Sequence, residues 1–192
     1  MKEQTPAGLW PGDVCATHRL VPRPIIGVMG SGLERHDALA VPLGRWIARQ
    51  GFHLLTGGGG GVMAAVSQAF TGVASRAGLS IGILKGEPEA GRHATPNPWV
   101  ELPIRTHLPL SGAEGTDTRS RNHINVLTAD VVVALPGGDG TRSEVLLARR
   151  YGRPVIAFVD GPALPSGWPD VPVATTLDHV ATLVQDALGR VR

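Results

Sequence analysis

Cysteine is almost absent from this 192-residue chain: Cys15 stands alone, so no disulfide can form within it. A reducing cytoplasm is therefore the expected compartment. Lysine is nearly as scarce, with Lys2 and Lys85 against sixteen arginines. Arginine stays protonated and grips phosphate or carboxylate as a fork, whereas Schiff-base chemistry would rest on Lys85, around which no pyridoxal-phosphate motif is recognisable. No apolar run approaches the roughly 18 residues of a membrane span. The opening Met-Lys-Glu-Gln-Thr-Pro has no apolar signal-peptide core, so neither membrane insertion nor export is expected. The seven histidines show no HxxxH or HxxEH spacing, and no metal site is expected. The net charge is only +2, and no run of basic residues exceeds two. Nucleic acid is not the expected partner.

What is present is 42% hydrophobic residues and 26 glycines, enough for a globular core. Residues 1–23 read as an irregular arm rich in proline, glycine and threonine, and residues 24–192 as one α/β domain. Nearly continuous apolar runs at Ile25 to Met29, His53 to Thr56, Ile81 to Leu84, Val131 to Leu135 and Val155 to Val159 predict parallel strands covered on both faces. A further strand is expected within Trp99 to Ile104. Apolar residues at helical spacing predict helices around Leu39–Ile47 and Val62–Val73, then over Thr118–Thr128, Arg142–Tyr151 and Thr176–Leu188. Gly51 and Gly152 stand where helix C-terminal glycines belong. The alternation implies a Rossmann-like, doubly wound parallel sheet in three αβα layers. Residues 86–97 are the least regular interior stretch and are read as a lid.

Three glycine loops each follow a predicted strand and precede a predicted helix: Gly30-Ser31-Gly32, the run Gly57 to Gly61, and Pro136-Gly137-Gly138-Asp139-Gly140-Thr141. At the carboxyl edge of a parallel sheet they would share one cleft lined with free N–H groups, which suits an anion. A single such loop reads equally well as a tight turn. Walker and GxGxxG patterns are both absent, so an ordinary ATPase or dinucleotide enzyme is not expected. Glu144 has two readings. Thr141-Arg142-Ser143-Glu144 fits a capping box, and the same carboxylate beside the loops fits catalysis or ligand binding. Asp139 reads as a turn residue.

The stretch Pro136-Gly137-Gly138-Asp139-Gly140-Thr141-Arg142-Ser143-Glu144 resembles the PGGxGTxxE signature of the Lonely guy (LOG) superfamily, often labelled lysine decarboxylase. Thr56-Gly57-Gly58-Gly59-Gly60-Gly61-Val62-Met63 resembles its second glycine loop, and Arg121, fifteen residues before Pro136, matches the position of its functional arginine. In the enzymatic branch the resemblance implies hydrolysis of the N-glycosidic bond of purine or cytokinin riboside 5′-monophosphates, with Arg121 and Glu144 catalytic and no cofactor required. The ligand would be held by Gly30, Ser31, Gly32, Gly58, Gly59, Gly60, Gly61, Arg121, Asn122, Pro136, Gly137, Gly138, Asp139, Gly140, Thr141 and Glu144. Arg121-Asn122, where the enzymes carry Arg-Lys, and Ser143, where they carry glutamate, are more similar to the sister branch of molybdenum cofactor carrier proteins. That branch implies binding of a phosphorylated pterin, the molybdenum cofactor, without transformation. The resemblance also implies a homodimer or larger assembly. A DNA-processing role is the remaining alternative.

Overall fold

The computed structural model describes residues 22–87, 92–93 and 96–191. Almost all of the expected N-terminal arm, and residues 88–91 and 94–95 of the expected lid, lie outside them. Seven strands form one all-parallel sheet: β1 (Ile25–Met29), β2 (His53–Thr56), β3 (Ser80–Leu84), β6 (Leu102–Arg105), β7 (Val131–Ala134), β8 (Val155–Phe158) and β9 (Val173–Ala174), in the order β6-β3-β2-β1-β7-β8-β9. The order reverses beside β1, which is the switch point where open α/β sheets bind ligands. Two short strands, β4 (Gly86–Glu87) and β5 (Arg92–His93), pair separately as an antiparallel ribbon.

Among the described residues five α-helices cover the sheet: α1 (Asp37–Arg49), α2 (Gly61–Thr71), α3 (Asn122–Thr128), α4 (Asp139–Arg150) and α5 (Leu177–Val191). The side chains of β7 show how the layers arise. Val131 and Val133 point into a core with Leu43 and Ile47 of α1, Val66 and Phe70 of α2, and Val180 and Val184 of α5. Val132 and Ala134 point the opposite way, onto Val126 of α3 and Val145 and Leu147 of α4. Successive strand residues alternate between faces, so a strand covered twice must be apolar throughout, as Val131–Ala134 is. Ile26 on the central strand is fully buried, and Ile26→Val should cost about 0.5–1.5 kcal/mol in a urea titration.

Several boundaries differ from the sequence expectation for local reasons. The edge strand β6 runs over Leu102–Arg105 rather than starting at Trp99. It tolerates Pro103 because an edge strand leaves one row of N–H groups unpaired. Helix α3 begins at Asn122, four residues later than Thr118. Asp117 Oδ1 accepts the Arg119 N–H (2.8 Å), a local bond that competes with the helix. Helix α4 begins at Asp139, three residues before Arg142, because extended Gly138 forms its N-cap and its carbonyl accepts the Arg142 N–H (3.0 Å). Strand β9 carries only two residues between Pro172 and a turn. Gly51 and Gly152 follow α1 and α4 with φ of 72° and 64°, as expected.

Candidate functional site

The carboxyl ends of β1 and β7 and the loops after them enclose a cleft of about 360 Å³, within the size range of small-ligand sites. Gly30, Ser31, Gly32, Arg121, Asn122, Gly138, Gly140, Thr141 and Glu144 line it, joined by Met63, Ser111 and Gly112. The first loop is locked between the other two. The Ser31 N–H donates to Pro136 O (3.0 Å), and the Val62 N–H donates to Ser31 O (2.9 Å). Gly58, Gly59, Gly60, Gly61, Pro136, Gly137 and Asp139 are not among the lining residues. Gly60 caps α2, Gly61 is its first residue, and Asp139 opens α4. The second glycine loop therefore braces the cleft from behind rather than forming its wall.

A second hollow of equal volume lies at the opposite edge, beneath Arg149, Arg153 and Arg190. None of the glycine loops reaches it. Arg142 donates through Nε to Gly167 O (2.7 Å), and Arg119 pairs with Asp117; neither lines the cleft.

Arg121 is the residue immediately before α3, and its side chain is held by the sheet. Its Nη1 donates to Ile83 O (2.9 Å) and reaches Asn125 Oδ1 (3.4 Å), one helical turn on. Gly57 explains how the guanidinium fits: a Cβ built there would strike its Cζ and both terminal nitrogens. Nε and Nη2 have no hydrogen-bond partner among the described residues, and Nε is fully buried. Burial lowers the Arg121 pKa, opposed by the nearby Glu144, yet a guanidinium starts so high that it remains charged. Nη2, which is not fully buried, is the donor that an anion in the cleft would meet.

Glu144 faces the same space from the second turn of α4 and is 7% exposed. Its Oε1 accepts from Asn125 Nδ2 (2.7 Å), so Asn125 bridges the acid and the arginine. The capping-box reading fails here, because α4 starts before Thr141 and no side chain caps it. Burial raises the Glu144 pKa, with Arg121 and then Asn125 acting in the opposite direction. Asn125 belongs to the site although no signature contains it. Its spacing of four from Arg121 was the available signal. Among the described residues no group of three His, Cys, Asp or Glu side chains could hold a metal ion, and no helix is long and apolar enough to cross a membrane.

Fold and site together define a Rossmann-like protein with a glycine-lined cleft at the switch point of its sheet. A model of the SLOG cluster4 family matches residues 23–185, and the chain belongs to that family, in agreement with the LOG resemblance. The molybdenum cofactor binding protein of Rippkaea orientalis is 31% identical, with a TM-score of 0.67 over 88% of this chain and 99% of that one. The Moco carrier protein of Chlamydomonas reinhardtii is 30% identical with the same TM-score and coverage. An uncharacterised protein of Archaeoglobus fulgidus is 32% identical over 135 residues, 69% of this chain and 78% of its own length.

Proposed function

We propose that the cleft binds a phosphorylated pterin of the molybdenum-cofactor type and carries it unchanged. The observation that carries this reading is the Arg121 guanidinium in the wall of a glycine-lined cleft, its Nη2 unpaired among the described residues. A phosphate there would receive charge-assisted hydrogen bonds from the fork. Loop N–H groups at the α4 N-terminus would add theirs. The volume admits a small heterocycle, and the solved carrier proteins of similar fold support the same cargo. A homo-oligomer working in the cytoplasm completes this proposal.

The hydrolase reading keeps one specific support. Glu144 lines the cleft with a raised pKa, as a general acid requires. Against it, the Glu144 carboxylate is engaged by Asn125, and the second acid is replaced by Ser143, whose hydroxyl is committed to Gly140 O. The deciding experiment incubates high concentrations of protein with AMP, GMP and an N6-substituted AMP and measures ribose 5-phosphate. The carrier reading predicts binding without release. Release that disappears in Glu144→Gln establishes the hydrolase instead.

Gly57 gives an indirect test of the Arg121 placement. Gly57→Ala should displace the guanidinium and weaken GMP binding about tenfold, while the chain stays folded by circular dichroism. Unchanged affinity would show that the close approach at Gly57 does not set the arginine.

A further inference from the structure

Asn122 lines the cleft beside Arg121 yet is only 2% exposed, and the orientation of its amide is fixed by its neighbours. The Ser143 hydroxyl has one proton, which it donates to Gly140 O at 2.7 Å. Its oxygen must therefore accept in the contact with Asn122 at 2.9 Å, and only Nδ2 can donate there. The backbone N–H of Asn122 is held by Ser120 Oγ (3.1 Å). Gly115 makes room for the pair: a Cβ at that position would collide with Ser143 Oγ and Asn122 Nδ2. One of the two Nδ2 protons is committed to Ser143, which fixes the side of the amide that Oδ1 takes, and Oδ1 receives no hydrogen bond among the described residues. Asn122 lines the cleft, and Oδ1 is not among the fully buried atoms of the described residues.

We propose that Gly115, Asn122 and Ser143 form a specificity device, which presents the Asn122 carbonyl oxygen to the cleft as a fixed acceptor for an N–H donor on the ligand's ring. This refines the expectation that placed Asn122 among the residues holding the ligand: an acceptor oxygen repels phosphate oxygens and suits the ring instead. Arg121 and the loop N–H groups supply only donors and serve the anion. Asn122 then reads the heterocycle. The proposal rests on the cleft holding a phosphorylated heterocycle. The ring class it selects is one with a 2-amino-4-oxo edge, whose exocyclic amino group donates, over a ring lacking that group. A site built to hydrogen-bond a donor discriminates against the analogue without it, because its own buried polar group is then left unpaired.

GMP and IMP differ by that amino group, and calorimetric titration of both tests the device. Wild-type protein should bind GMP about tenfold more tightly than IMP, the effect of one hydrogen bond. Asn122→Ala should bring the ratio to about one by weakening GMP and leaving IMP nearly unchanged. Ser143→Ala, which removes the group behind the amide and touches no ligand, should lower the ratio several-fold by freeing the amide to rotate. Melting temperatures near wild type establish that both variants fold. Equal wild-type affinities, or equal losses for both nucleotides in Asn122→Ala, would overturn this proposal alone. Binding of neither nucleotide would overturn the phosphate-cleft reading and this proposal with it.

Discussion

Arg121→Ala should lower the affinity for GMP by about a hundredfold or more. Nη2 carries two N–H groups without a partner among the described residues, each can make a charge-assisted bond to phosphate, and such bonds contribute about 1.5–3 kcal/mol apiece. The loss is measurable by calorimetry at fixed salt. Arg121→Lys should fail almost as completely. An ammonium is a point charge on a flexible stem, and it cannot span Ile83 O and a phosphate as the planar fork does. Both variants should keep a wild-type circular dichroism spectrum, since the two core clusters do not include Arg121. A folded Arg121→Ala with wild-type affinity would remove the arginine from the site.

Glu144→Gln should change both stability and binding, in a direction set by pH. Burial raises the Glu144 pKa above its unfolded value. A carboxyl group raised in this way favours the protonated native state. Its contribution to stability is complete below the ordinary carboxylate range and is lost as pH climbs through the raised pKa. Glutamine stays neutral throughout and can still accept from Asn125. The variant should therefore melt with wild type in acid and above it at alkaline pH. Ionised Glu144 also repels a phosphate held by Arg121, so wild type should lose affinity relative to the variant as pH rises. The difference should be several-fold in mildly alkaline buffer, and the ratio of the two affinities cancels the phosphate's own titration. A variant that melts below wild type at every pH would show that the carboxylate is needed as the partner of Arg121.

The strands were legible because burial on both faces leaves little freedom: Val131 to Ala134 must be apolar at every position, and it is. Gly51 and Gly152 were legible because a left-handed residue after a helix favours glycine. The two residues of β9 were not, since their pairing to β8 follows from the path of the chain rather than from a periodic pattern. The capping box at Thr141 looked complete in one dimension, yet Gly138, extended in the preceding turn, starts the helix earlier. All three glycine loops read as cleft walls in the sequence; the first and third line the cleft, whereas Gly57 of the second serves the site by making room for Arg121. That role depends on a contact across 64 positions of sequence and left no local signal. Gly115 is equally silent, because its importance lies in Asn122 and Ser143, which the fold brings against it.

The native mass spectrum of the protein purified from cells that synthesise the molybdenum cofactor tests the carrier reading most directly. Wild-type protein should retain an added mass of pterin size, stable to buffer exchange and absent from Arg121→Ala. Wild-type and Arg121→Ala proteins that both fly at the bare chain mass from such cells would contradict it.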